Sequence, residues 1–117
     1  MKTVGKLLTG LAAAESLFIA LIEMRRWEEK GASFFPEPHE GFFRDTVVMA
    51  GNQGLYNGFL GAGMLWGLLR RDTGVCLFFL ACMLTAAGYG CATTSRKIIL
   101  QQGTVPAAAL AAIALGK

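Results

Sequence analysis

Four apolar stretches, each close to the length of a membrane helix and separated by charged links, constrain this chain more than any other feature. They run from about Val4 to Ile22, with the helix expected to continue to residue 25, then from about Thr46 to Leu69, from Gly74 to Thr94 and from Ile98 to Leu115. A helix needs roughly 20 mostly apolar residues to cross a bilayer, so four spans and one loop use nearly all of the 117 residues. The links "RRD" at Arg70 to Asp72 and "SRK" at Ser95 to Lys97 are so short that they force antiparallel neighbours. The expected fold is therefore all-α: an up-down-up-down four-helix transmembrane bundle in a single domain over residues 1–117. A content of 54% apolar residues and a mean hydropathy of +0.48 fit this class and exceed what a soluble domain of this size carries.

The N-terminal stretch has the basic start of a signal peptide, but it contains Glu15 and Glu23 and a long apolar run, and is read as a retained first span. It closes on "EMRRWEEK", where Trp27 and two arginines suit a membrane interface. Residues Glu28 to Asp45 mix charge, two prolines and paired phenylalanines, which predicts one long interfacial loop with Phe34, Phe35, Phe42 and Phe43 dipping toward the headgroups. That loop is net acidic, with Glu28, Glu29, Glu37, Glu40 and Asp45 against Lys30 and Arg44. Basic residues divide almost evenly between the two sides of the bundle, leaving orientation to a slight preference for both termini inside. A formal charge of +3 with no basic stripe excludes a nucleic-acid surface. Cys76, Cys82 and Cys91 share one apolar run without metal-ligand spacing and read as packing residues, so no metal and no cofactor is expected.

In lipid, helices associate by close packing of small residues. Ala50, Gly54, Gly58 and Ala62 form a four-residue-spaced stripe on the second span, with Gly63 and Gly67 on a neighbouring face. On the fourth, Gly103, Ala107 and Ala111 repeat that spacing beside Thr104, Ala108, Ala112 and Gly116. These faces are candidates for contacts within the bundle or for a homo-oligomer.

Polar side chains in such helices require a partner or a wet cavity. The antiparallel order places Glu23, Asn52, Gln53, Tyr56, Asn57, Tyr89, Thr93, Gln101 and Gln102 in the same half of the bundle. Asn52, Gln53, Tyr56 and Asn57 fall on one face of the second span, Thr85, Tyr89 and Thr93 on one face of the third, and Ser16 and Glu23 on one face of the first. Two readings follow. The amides are either interhelical glue, worth ~0.6 kcal/mol each, or the lining of a pocket under the long loop. Their number favours the pocket, and Asn52, Gln53, Tyr56, Asn57, Tyr89, Gln101 and Gln102 are its candidate ligand-binding residues. Glu15, nearer the bilayer middle, must be protonated, paired or solvated. Glu23 lies beside Arg25 and Arg26, where an interfacial ion pair is the alternative to a pocket role. Glu15 and Glu23 are the candidate acid-base residues. His39, alone in its loop, suggests a solvated residue.

The pieces "LIEM" at Leu21 to Met24, "NQGLYNGFLGAGMLWGL" at Asn52 to Leu68, Tyr89 with Gly90, and "QQGTVPAAAL" at Gln101 to Leu110 together make the chain resemble a small bacterial membrane family, domain of unknown function 1304. The resemblance covers nearly the whole chain and implies a four-span protein of the bacterial inner membrane. A histidine commonly follows the helix-one acid in that family; Ser16 stands there in this chain, so histidine chemistry does not carry over to this position. The expected function is binding of a small amphipathic or lipid-like molecule in a polar intramembrane pocket, with acid-base chemistry on it as an extension and membrane lipid as the surrounding partner. A proton-coupled transporter similar to the small multidrug resistance proteins is the first alternative, although those lack the long first loop and the polar block of the second span. An accessory subunit of another membrane protein is the other.

Overall fold

The computed structural model describes residues 1–117 and contains six helices and no strands. They are α1 (Thr3–Arg25), α2 (Trp27–Phe34), α3 (Phe42–Asp45), α4 (Val47–Leu69), α5 (Thr73–Thr93) and α6 (Thr104–Ala114), the last entered through a π-helical turn at Ile99–Gly103. The long ones form a ring in which α1 packs most extensively on α4, α4 on α5, α5 on α6 and α6 back on α1. Their shared core is Ala12 and Ala13 of α1, Met64 of α4, Leu80 and Met83 of α5 and Ala109 of α6.

The segment expected as a single loop carries two short helices. Trp27 starts α2 immediately after Arg26 leaves helical geometry, and α2 ends at Phe34 because Phe35 precedes Pro36 and is driven into extended backbone, φ −128° and ψ 151°. Gly41, at φ 81°, makes the left-handed turn that opens α3. Trp27, Phe43 and Ala50 then form a second, smaller core with Phe35 and Phe42 packed on it. The aromatic residues read as headgroup anchors therefore pack mainly on one another.

Between α4 and α5 the chain reverses in three residues. Arg71 takes φ 55°, and the N–H groups of Arg71 and Asp72 return to the carbonyls of Leu68 and Gly67, which closes α4 with a Schellman pattern. Asp72 then caps α5 by accepting from the Val75 N–H at 3.1 Å. At the far end of the chain, Pro106 lacks an N–H and its ring crowds the carbonyl four residues earlier. The adjacent π-helical turn at Ile99–Gly103 is the local widening that such crowding produces.

The helix contacts depart from the expected stripe on α4. Ala50, Gly54, Gly61 and Met64 are buried, whereas Ala62 is exposed. A Cβ on Gly54 would lie 3.0 Å from the Ala20 carbonyl, and one on Gly61 would lie 3.0 Å from the Ala13 carbonyl, so these glycines seat α4 on α1. A Cβ on Gly58 would meet only the Ala20 Cβ, at 3.9 Å. The reason is helical pitch. At 3.6 residues per turn a strict four-residue repeat drifts around the helix, while alternating steps of four and three hold one line of contact. Gly63 and Gly67 serve the neighbouring face, where they receive the Phe79 ring and Cys76 of α5. Along the π-helical turn and α6 the buried positions are Gly103, Pro106, Ala109 and Ala112, in place of a row through Ala107 and Ala111.

Two helices, α1 and α5, are long and apolar enough to cross a membrane. Although α4 has the length, Asn52, Gln53, Tyr56 and Asn57 interrupt its apolar character. The apolar helix Ile99–Ala114 is shorter.

Candidate functional site

A cleft of about 470 Å³ opens where the end of α1, the start of α4 and the end of α5 meet beneath the α2 and α3 segment. Its floor is polar. Glu23, only 2% exposed, accepts a hydrogen bond at Oε1 from Nδ2 of Asn57, 34 residues away. Gln53, one turn earlier on α4, and Gln102, in the π-helical turn, also line the cleft. Asn57 comes within reach of Glu23 because Gly54 lets the two backbones approach. The absent side chain leaves room for Glu23 Cβ, which would stand 3.0 Å from a Cβ at position 54.

The roof is aromatic and rigidly tied. Trp27 donates from Nε1 to Thr46 Oγ1 at 2.9 Å, and Thr46 donates in turn to the Phe42 carbonyl at 2.7 Å. The Trp27 ring centroid lies 5.2 Å from that of Phe35 and 6.4 Å from that of Phe42, with planes inclined by 56° and 59°. Pro36 and Pro38 complete the roof, and Tyr89, Gly90 and Thr93 of α5 form the facing wall. Thr93 is already engaged, donating to the Tyr89 carbonyl at 2.7 Å.

Of the residues expected to converge, Glu23, Gln53, Asn57, Tyr89 and Gln102 share this cleft. Asn52, Tyr56 and Gln101 do not line it. Asn52 is exposed and donates to the Val48 carbonyl of its own helix at 3.1 Å, and Tyr56 is 66% exposed with its ring edge-on to Phe59. Their positions are 100° or more around α4 from Gln53 and Asn57 respectively, which is enough to place them outside the groove. Gln101 lines a separate cleft of about 430 Å³ beside Phe34, Ser95 and Lys97. Glu15 also lies apart from the main cleft; its Oε1 is buried without a hydrogen-bond partner. Its neighbour Ser16 donates to the Met83 sulfur at 3.3 Å and links α1 to α5. Glu23 makes no ion pair with Arg25 or Arg26; Arg26 instead pairs with Glu29 at 2.8 Å on the exposed side of α2. His39 is exposed, with its ring edge-on to Phe42 and Nδ1 3.1 Å from the Glu40 carbonyl.

Sequence reasoning missed Trp27, Phe35 and Phe42 as lining residues. The available signal was the aromatic and proline-rich segment itself, whose paired phenylalanines suit a folded cap as well as a headgroup anchor.

No solved structure matches the chain. Among curated proteins, the Uncharacterized protein YpaA of Lactococcus lactis subsp. lactis is 31% identical over 108 residues, covering 89% of this chain and 91% of that protein. Residues 10–114 match the model of the family described as Protein of unknown function (DUF1304). With nearly the whole bundle inside that match, the chain belongs to the DUF1304 family.

Proposed function

We propose that this protein is a multi-pass protein of the bacterial inner membrane in which α1, α4, α5 and the last helix cross the bilayer up-down-up-down, and that its cleft binds a small amphipathic or lipid-like molecule. The membrane reading is supported by the outer surface. Leu7, Val48, Phe59, Leu69, Phe78 and Leu100 are all more than half exposed, an apolar coat that lipid accommodates and water does not. The 23 residues of α4 reach ~34 Å at 1.5 Å per residue, enough for a hydrocarbon core of ~30 Å despite the polar block.

The observation that carries the binding reading is the mixed lining of the cleft. Glu23, Asn57, Gln53 and Gln102 contribute polar groups to it, while Trp27, Phe35, Phe42 and Met49 contribute apolar surface. A molecule with a small polar end and an apolar body satisfies both. Mass spectrometry of gently extracted protein tests this. An enriched molecule that disappears in Gln53→Leu and Asn57→Leu is expected; bulk membrane lipid alone, unchanged by either substitution, overturns the reading. Glu23 and Tyr89 both line the cleft, and acid-base chemistry on the bound molecule would draw on the carboxyl group of the one and the phenol of the other.

A second reading, proton-coupled transport of a small molecule, is favoured by the buried, unpartnered Oε1 of Glu15 within α1. An intramembrane carboxyl of that kind is the usual carrier of protons in such proteins. Glu15→Gln should then abolish pH-driven substrate exchange in vesicles, because an amide cannot cycle a proton, while cleft binding persists.

A further inference from the structure

Eighteen residues line the main cleft, and Glu23 is the one among them with a carboxyl group; none is lysine, arginine or histidine. Its protein partner is the neutral Asn57 amide, which stabilises a carboxylate by a hydrogen bond but leaves its charge unmatched. Only Oε1 is engaged, so the second oxygen is free to accept from a ligand. An unmatched charge in so buried a position is costly, and a counter-charge brought by the ligand removes that cost. A phosphate, sulfate or carboxylate headgroup finds no such partner, since it meets no lysine, arginine or histidine in the cleft.

The roof selects in the same direction. Trp27, Phe35 and Phe42 all line the cleft, and the planes of the two phenylalanines are inclined to that of Trp27 instead of stacking flat on it. Aromatic facets combined with one carboxylate are the arrangement that holds alkylammonium groups through attraction to the ring electrons.

We propose that the cleft takes an organic cation, a protonated amine or quaternary ammonium group on an apolar chain, with Glu23 matching its charge and Trp27, Phe35 and Phe42 packing against its methyl or methylene groups. This rests on the cleft being a binding site for amphiphiles and specifies the polar end of the ligand. Acceptors at Asn57, Gln53 and Gln102 add hydrogen bonds when the cation carries N–H donors, so a protonated amine and a quaternary ammonium are both accommodated.

The experiment uses the full chain in a neutral maltoside detergent, with Trp66→Phe leaving Trp27 as the sole tryptophan. Decyltrimethylammonium, decanol and decyl sulfate are titrated while Trp27 fluorescence is recorded. The expected result is saturable binding of the ammonium at least about tenfold tighter than either of the others, with the preference over decanol reduced to near one in Glu23→Gln. Phe42→Leu should weaken ammonium binding about threefold or more and leave decanol nearly unchanged, as loss of a cation–π contact does. Should Glu23→Gln lose its cooperative melt, Phe42→Leu carries the comparison of the ammonium with decanol, and an unchanged ratio there overturns the cation. Saturable binding of decanol or decyl sulfate as tight as that of the ammonium, abolished by Asn57→Leu, retains the cleft as a binding site and overturns the cation. A cation preference that survives Glu23→Gln also overturns it. No saturable response to any of the three probes overturns both the cation and the binding site.

Discussion

Asn57 of α4 donates to Glu23 of α1, and this hydrogen bond joins the two most closely packed helices at the floor of the cleft. Glue and pocket lining are thus the same side chain here. A double-mutant cycle with Glu23→Ala and Asn57→Ala should give a coupling of about 0.6 kcal/mol, and no more than about 1.7, as interhelical hydrogen bonds in membranes do. Reversible unfolding in mixed micelles measures it. Strict additivity would show that the two side chains act independently.

Gly54 and Gly58 are four residues apart but should respond oppositely to substitution. At Gly54 an added Cβ would stand 3.0 Å from both the Ala20 carbonyl and Glu23 Cβ, neither of which can swing away, so Gly54→Ala should cost on the order of 1–3 kcal/mol by overpacking. At Gly58 the nearest atom is 3.9 Å away, an ordinary contact, and Gly58→Ala should be neutral or slightly stabilising through helix propensity. Thermal melts of the two variants in one detergent compare them directly. Equal destabilisation would contradict the alternating line of contact on α4.

Thr46 holds the roof by accepting from Trp27 and donating to the Phe42 carbonyl. Thr46→Val keeps the shape and strands the indole N–H, with an expected loss of about 1 kcal/mol. Trp27 emission in a Trp66→Phe background should shift and become more accessible to an aqueous quencher. Unaltered quenching would mean that the roof does not depend on this bond.

Topology is tested by single cysteines at Lys117 and Glu37 in a background where Cys76, Cys82 and Cys91 are replaced by alanine. These cysteines are free, so no disulfide is lost in making that background. An impermeant maleimide should label the two positions from opposite sides of the membrane. Labelling of both from one side would remove α4 or the last helix as a span.

Near each end of the chain a backbone bond adds a constraint that is independent of the cleft. The Gly5 N–H donates to the Lys117 carbonyl at 3.1 Å, and a Cβ at position 5 would press on Ile113 at 3.1 Å. Gly5→Val should therefore loosen α6 from α1 and lower the melting temperature, while binding of decyltrimethylammonium at the distant cleft is kept. Parallel loss of binding and stability would tie the cleft to the whole bundle.

The sequence by itself determined that the chain is helical, where its long helices lie and that short links make them antiparallel neighbours, because apolar runs, charged ends and turn residues are local signals. It also placed Glu23, Gln53, Asn57, Tyr89 and Gln102 at a common depth, since depth follows from counting along antiparallel helices. Which of the polar residues share a groove was decided only by the tertiary structure. Asn52 and Tyr56 have nearly the same depth as Gln53 and Asn57, but rotation of α4 about its axis, fixed by Gly54 and Gly61 against α1, turns them out of the cleft. The same holds for the roof. Trp27, Phe35 and Phe42 read as interface anchors when taken singly, and become a cap only because Pro36, Gly41 and the Trp27 to Thr46 hydrogen bond fold the segment back on itself. Helix rotation and chain reversal depend on contacts between residues far apart in sequence, and periodicity along one helix carries no record of them.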